Sequence, residues 1–387
     1  MSAADFPENE RDDEKYERQD HGVGGLDETD LLHTRPLDGD VPGTLTIRSG
    51  VGNNGRFFPW YPARIGRFEI HGVLGQGGFA VVYRGWDPSL KRWLAIKVPK
   101  HHCLPEPAAR NHFLLEAEAA ARLEHRGIVA VHEAGTDGET PYIAMAQCRG
   151  PTLAKWLAER SNPVGPRLAA QILLQLAEAV QYSHDHGILH RDIKPANVLL
   201  FPDDSSTCTE FPFVPRLGDF GLAKVLEQDH SASGTTEVVG TPRYMAPEAI
   251  SGSKSSAAAT SDVYSLGAIL YTLLTGQPPF AAASVAETLR QIAEQDPVAP
   301  HIISSSAGLE LSNVCQKCLE KSVDRRYSTA QELADDLRNY LDGRPVKARP
   351  LSVTGRLEKW IRRKPLVAGL TATTGVLVGS LLFLSIE

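Results

Sequence analysis

The stretch "HGILHRDIKPANVLL", residues 186–200, sets a carboxylate, an amine and an amide at short intervals: Asp192, then Lys194 and Asn197. A carboxylate that orients an attacking hydroxyl, a lysine beside a transferring phosphate and an amide that holds a metal form a set for phosphoryl transfer. Downstream, "LGDFGLAK" (217–224) supplies Asp219 with Phe220 and Gly221. That carboxylate suits Mg²⁺ held between phosphates, because Mg²⁺ takes carboxylate and phosphate oxygens. Upstream, "LAIK" (94–97) ends in Lys97 on a strand-like run, and Glu116 follows in the helix-forming "FLLEAEAAARLEH" (113–125). "GTPRYMAPE" (240–248) completes the series.

Further upstream, "VLGQGGFAVVY" (73–83) has three reading frames: a dinucleotide fingerprint, a lid over nucleotide phosphates, or a tight hairpin. Glycine serves all three, since without a Cβ the backbone turns tightly and approaches a phosphate closely. Context excludes the first. A dinucleotide fingerprint opens a helix after the first strand of a βαβ unit. Here the glycines lie between strand-like runs, "RFEIHGVL" and "AVVYRGWD", and a third, "WLAIKVPK", follows. "NHFLLEAEAAARLEH" then reads as a helix, "GIVAVHEAG" and "PYIAMAQC" as two more strands, and "TLAKWLAER" and "RLAAQILLQLAEAVQYSHDHG" as helices. A small strand-rich lobe therefore precedes a larger helical one.

These five ordered motifs resemble the protein kinases, specifically the eukaryotic-like (Hanks-type) serine/threonine kinases of bacteria. The resemblance covers about residues 67–342 and implies an α+β bilobal kinase fold: a strand-rich N-lobe with one helix (67–147) and a mainly helical C-lobe (148–342). It implies ATP and Mg²⁺ as cofactors, with Mn²⁺ as an alternative metal, and Ser/Thr hydroxyls of proteins as acceptors. Asp192 is the implied catalytic base, and Lys194 the group that neutralises the transferred phosphoryl. Lys97 is implied to hold the α- and β-phosphates while paired with Glu116, in preference to Glu118. Asn197 and Asp219 are the implied metal ligands. The ATP-binding set is Leu74, Gly75, Gln76, Gly77, Gly78, Phe79, Ala80, Val81, Val82, Lys97, Met145 and Cys148. Lys194 and Thr241 match the serine/threonine pattern. Arg191 implies pairing with a phosphorylated activation segment, where Thr235 and Thr236 are the candidate phosphosites, with Ser231 and Ser233 beside them. The other reading of that segment is a loop rich in small polar residues. Asp262 is expected to brace the catalytic loop, and Arg326 to pair with Glu248.

The chain departs from the family pattern at several points. Ala80 stands where a third glycine is usual. In "MAQCRGPTL" (145–153), Met145 takes the gatekeeper position and Ala146 and Gln147 replace the usual acidic and aromatic residues. "FPDDSSTCTEFPFVPR" (201–216) carries an insertion expected to extend a surface hairpin, and Ser322-Val323 replaces Asp-Pro. None of these removes a catalytic group.

Composition sets outer bounds. The 387 residues carry a formal net charge of −7, which argues against a general nucleic-acid binder, and their five cysteines are too few and odd in number for a disulfide framework. Cys315 and Cys318 form a lone C-x-x-C, read as core cysteines rather than a zinc site. Residues 1–63, acidic at the start and Gly/Asn/Pro-rich later, read as a disordered tail without a signal peptide. Residues 365–386 form 22 uncharged residues, enough for one transmembrane helix, behind a basic segment (343–364) that includes Trp360, Arg362, Arg363 and Lys364. Positive charge on that flank puts the kinase domain in the cytoplasm of a single-pass membrane protein. A buried core helix is the competing reading of 365–386. Gly375 and Gly379 make a G-x-x-x-G that leaves a homodimer open. With only Glu387 beyond the apolar run, no sensory domain is expected in this chain.

Overall fold

The computed structural model describes residues 47–51, 57–104, 106–205, 208, 210–220, 242–250 and 259–348. The β-branched and aromatic runs of the first lobe form a six-stranded antiparallel sheet. Its strands are β3 (Arg64–Ile65), β4 (Phe68–Gln76), β5 (Ala80–Asp87), β6 (Arg92–Pro99), β7 (Val131–Asp137) and β8 (Thr140–Ala146), in the spatial order β3-β4-β5-β6-β8-β7. Side chains alternate between the sheet faces. Leu94 and Ile96 of β6 join Phe68, Ile70 and Tyr142 on one face, while Ala95 joins Phe113, Ile143 and Met145 on the other.

One helix crosses this second face: α1 (Pro107–Ala121). It starts earlier than the sequence pattern suggested, because proline is preorganised for a first helical position and loses no needed donor there. It also stops earlier, at Ala121, and Leu123 turns into the core of the next lobe, 2% exposed.

The expected tail to residue 63 needs correction. Ile47–Val51 (β1) and Phe57–Pro62 (β2) form an antiparallel hairpin, and Tyr61 is buried against the outer face of the sheet. Tyr61 gives this segment a buried aromatic anchor, 8% exposed, which a solvated tail lacks.

The second lobe is built on helices: α2 (Leu153–Ala158), α3 (Pro166–Asp185), α4 (Pro247–Ile250), α5 (Ala259–Thr275), α6 (Val285–Glu294), α7 (Pro300–Ile303), α8 (Leu309–Cys318) and α9 (Ala330–Leu341). Of the 17 residues of α5, 15 are buried, so this helix is enclosed on all sides and forms the centre of the lobe. Cys315 and Cys318 are fully buried free thiols, with Cys315 Sγ 3.5 Å from Gly267 O. Gly267 is required there, since a Cβ would sit 2.3 Å from that of Cys318.

The folded body runs past the expected boundary at 342. The backbone N–H groups of Lys347 and Ala348 donate to the buried Asp336 carboxylate at 2.8 and 2.9 Å, which also accepts from Tyr327 Oη. The insertion after residue 202 is indeed part of a hairpin, β9 (Val198–Pro202) with β10 (Phe213–Leu217). Among the described residues no helix is long and apolar enough to cross a membrane, and the expected span 365–386 lies outside them. Gly221, Ser231, Ser233, Thr235, Thr236 and Thr241 also lie outside the described residues.

Candidate active site

The segment between α3 and β9 carries Asp192 in a backbone that resists its own geometry. Arg191 has φ 66°, a left-handed conformation that costs a side-chain-bearing residue of order 1–3 kcal/mol and persists only when its surroundings enforce it. Asp262, at the start of α5 and 2% exposed, supplies the enforcement. Its two carboxylate oxygens accept from the backbone N–H of His190 and of Arg191, each at 2.9 Å, and from His184 Nε2 at 2.8 Å. Burial alone pushes the Asp262 carboxyl upward, but the His184 bond and the neighbouring histidines hold it below its ordinary value.

His190 links this loop to the next motif. Its Nε2 lies 3.0 Å from Gly218 O, and its Nδ1 accepts from the Asp192 N–H at 3.4 Å. A carbonyl only accepts and a backbone N–H only donates, so the ring is the Nε2–H tautomer. Its face packs on Phe220, with centroids 4.5 Å apart. Gly218 N–H donates to Asn197 O at 2.9 Å, and Asp219 follows with φ 63°. Both strained residues, Arg191 and Asp219, are thus held by one bonded loop pair.

Within this frame the expected groups meet. Lys194 Nζ is 2.7 Å from Asp192 Oδ2, and Asn197 Nδ2 donates to the same oxygen at 2.9 Å and to Asp192 O at 2.8 Å. Lys97, reaching from β6 and almost fully buried, places Nζ 2.7 Å from Asp219 Oδ1. Burial raises the Asp219 carboxyl, yet Lys97 first, then His190 and Lys194, bring it below the ordinary carboxylate value.

One expected contact differs. Lys97 is paired with Asp219 and not with Glu116, whose Oε1 lies 3.7 Å from His112 Nδ1 one turn back on α1. The physical reason is the shallow seating of α1. Only Ala109, Phe113, Ala117 and Ala120 of its 15 residues are buried, so little apolar area fixes its position against the sheet. Asp219, on the strained loop, competes for the same ammonium at closer range.

An apolar cluster beside these groups draws on both lobes. Leu74, Phe79 and Val82 pack on the cluster of Ala95, Val129, Ile143 and Met145, and Leu199 of β9 packs on it from the other lobe. Ala95 and Leu199 were absent from the sequence reading. Their signal was available: Ala95 stands two residues before Lys97 on the same strand face, and Leu199 two after Asn197.

Between β4 and β5 the glycine stretch forms the hairpin end, with Gly75 opposite Val82, Gln76 opposite Val81, and Gly77 N–H bonded to Ala80 O at 2.9 Å. Gly75 and Gly77 do not have positive φ, and a Cβ on Gly75 would meet no atom within 4 Å. The fold itself does not call for glycine at 75. Close approach of a ligand to the backbone does, which fits nucleotide phosphates. The metal-facing groups fit likewise: Asn197 and Asp219 bring only amide and carboxylate donors, the hard ligands that Mg²⁺ takes together with phosphate oxygens.

The lobe carrying this site is tied down by a buried ion pair. Arg326, with no exposed side-chain area, bonds both oxygens of Glu248 at 2.6 and 2.7 Å, and its Nε donates to Glu320 O at 2.6 Å.

Comparison with known proteins identifies the family. The chain is 36% identical over 287 residues to the serine/threonine-protein kinase PknB of Mycolicibacterium smegmatis, covering 73% of this chain and 44% of that protein. It is also 36% identical over 292 residues to a probable serine/threonine-protein kinase of Streptomyces coelicolor, SCO3848, covering 74% and 42%. The chain thus spans less than half the length of these curated relatives. Among solved structures, the Mycobacterium tuberculosis PknI kinase domain aligns with a TM-score of 0.56 at 27% identity, over 71% of this chain and 97% of that one. Residues 68–337 match the protein kinase domain, and the chain belongs to that family.

Proposed function

We propose that the protein is a serine/threonine kinase that transfers the γ-phosphoryl group of ATP to protein hydroxyls, its own activation segment included. The observation that carries the reading is the meeting of Asp192, Lys194 and Asn197 within hydrogen-bond range, together with a Lys97–Asp219 pair and an apolar cluster from both lobes that we read as the adenine slot. The similarity to serine/threonine-protein kinases supports the hydroxyl class.

In this reading Leu74, Val82, Ala95, Met145 and Leu199 sandwich the adenine, and the hinge backbone at Cys148 lies along its edge. Gly75 and Gly77 admit the phosphates, and Lys97 anchors them. Asn197 and Asp219 would hold Mg²⁺, which would neutralise charge on the phosphates. Asp192, with its carboxylate oriented by Lys194 and Asn197, accepts the proton of the incoming hydroxyl. Lys194 stands beside the transferred group, where positioning and electrostatics supply most of the catalysis. Kinase transfer needs the strand lysine paired with the helix glutamate. An inward shift of α1 that brings Glu116 to Lys97 and frees Asp219 for metal is therefore part of the proposal.

The radiolabel test uses the full chain with labelled ATP and Mg²⁺, beside Asp192→Asn. Label on Ser or Thr in the first alone supports the reading, and the labelled positions test Thr235 and Thr236. Equal labelling in both would remove Asp192 as the base. We propose further that residues 365–386 anchor the chain in a membrane, supported by their uncharged run behind a basic flank. Partitioning to membranes that survives deletion of 365–387 would refute it. The G-x-x-x-G at Gly375 and Gly379 supports pairing of two such spans, which crosslinking of a Gly375→Leu variant tests.

A further inference from the structure

We propose that the loop joining β9 to β10 is a positioning element for nucleotide: through Phe211 it fixes α2 and the hinge exit against the strand that floors the slot, and so sets ATP affinity. The inference rests on the kinase reading and assigns a role to an insertion which that reading leaves idle.

The base of the hairpin is already bonded to the hinge exit. Leu200 N–H donates to Pro151 O at 2.9 Å, the Cys148 thiol donates to Leu200 O at 3.2 Å, and Thr152 bridges Leu199. The approach is so close that a Cβ on Gly150 would lie 2.0 Å from Leu200 O. The slot floor at Leu199 and the chain leaving the hinge therefore move as one piece.

The end of the loop next to β10 closes the other side. Phe211 is 4% exposed and meets Trp156 of α2 edge-on, with ring centroids 5.1 Å apart at 80°. The Arg160 guanidinium lies 4.5 Å over the same indole and pairs with Glu210 at 2.6 Å. A solvated surface loop has no use for a buried phenylalanine. Helix α2 does, because it is six residues long and buries only Leu153 and Trp156. So short a helix holds its place by tertiary packing rather than by its own propensity.

Truncation of Phe211 loosens Trp156, and with it α2 and the hinge exit. ATP must then order these groups on binding, which weakens affinity. Asp192, Lys194 and Asn197 are braced from the opposite side by Asp262 and keep their geometry. The signature is thus a rise in Kd and KM for ATP without a fall in kcat.

The test compares wild-type full chain with Phe211→Ala, Phe211→Leu and Glu210→Gln, measuring Mg²⁺–ATP binding by calorimetry, steady-state kinetics and thermal melting. Phe211→Ala should raise Kd and KM for ATP about 5- to 10-fold with kcat within about twofold, Phe211→Leu should restore most of the loss, and Glu210→Gln should change Kd by about twofold or less. A Phe211→Ala protein that melts lower yet binds ATP like wild type overturns the proposal, leaving the loop a stabilising strut alone. A fall in kcat at unchanged KM overturns it too. Should Phe211→Ala not fold, Phe211→Leu decides by the same criterion: a raised Kd supports the proposal and an unchanged one overturns it. A wild-type chain that binds no ATP would refute the kinase reading and this inference with it. Wild-type binding without transfer would refute only the kinase reading, since the Kd comparison still stands.

Discussion

Helices α1 and α5 each hold one half of the site, and they are packed in opposite ways. Helix α5 buries 15 of its 17 residues and presents Asp262, whose carboxylate fixes the strained loop around Asp192. Helix α1 buries four of its 15 residues, three of them alanines, and its Glu116 does not reach Lys97. An alanine side chain buries far less apolar area than a leucine, so α1 is held by less burial than α5. The half that carries Asp192 is embedded in the core. The half that carries Glu116 lies on one face of a sheet.

The sharpest test of this contrast is kinetic. Asp192→Asn should lower phosphoryl transfer by about 10²–10⁴-fold while ATP binding and melting temperature stay near wild type, because the loop is held by Asp262 and not by Asp192 itself. Loss of folding in that variant would show that the C-lobe half is not braced as described. Next in size is Arg326→Met, which takes the bidentate partner from a Glu248 carboxylate that still accepts from Ser261 Oγ at 2.7 Å. Breaking a fully buried pair costs about 3–5 kcal/mol, and Glu248 is only partly buried, so denaturant unfolding should shift by about the lower end of that range or less.

The α1 side should respond more mildly. Glu116→Gln should lower kcat/KM by about tenfold, equivalent to ~1.4 kcal/mol, as read by steady-state kinetics. Wild-type transfer rates in this variant would mean that the Lys97–Asp219 pair already belongs to the active state.

Acid titration separates the halves further. Burial pushes Asp262 and Glu248 upward, but their hydrogen bonds, first from His184 and from Arg326 respectively, hold both carboxyls below their ordinary values of 3.8 and 4.5. A depressed carboxyl contributes stability that is present above its ordinary value and lost as pH falls through the native one. Melting temperature from these two groups should therefore be level from pH 7 to 5 and fall below about pH 4, and the fall should be shallower in a Glu248→Gln/Arg326→Met double variant. The smallest effect concerns Cys148. Burial lifts its thiol to about 11, so it stays protonated, donates to Leu200 O, and should alkylate far more slowly than the exposed Cys208 at neutral pH.

Much of the site was legible in the chain because its chemistry is local. Asp192, Lys194 and Asn197 lie within six residues, so a short bend brings them together whatever surrounds them. The strands and the larger helices follow from side-chain periodicity, which is also local. The strand pair Ile47–Val51 with Phe57–Pro62 was missed because the glycine and asparagine content of the stretch hid that Tyr61 has a sheet to pack on. Leu199 was missed as a slot residue because a leucine among apolar neighbours carries no mark of which surface it faces.

By itself, then, the sequence determined the class of chemistry, the order of the motifs, the two-lobed division and the partners Asp262 and Arg326 would need. Tertiary structure alone decided that Lys97 answers to Asp219 rather than Glu116, that a polar insertion closes on Trp156 through one phenylalanine, and that the folded body continues to Ala348. Each of those outcomes is a competition between contacts distant in the chain. Their result depends on how deeply each element is seated, which no local pattern encodes.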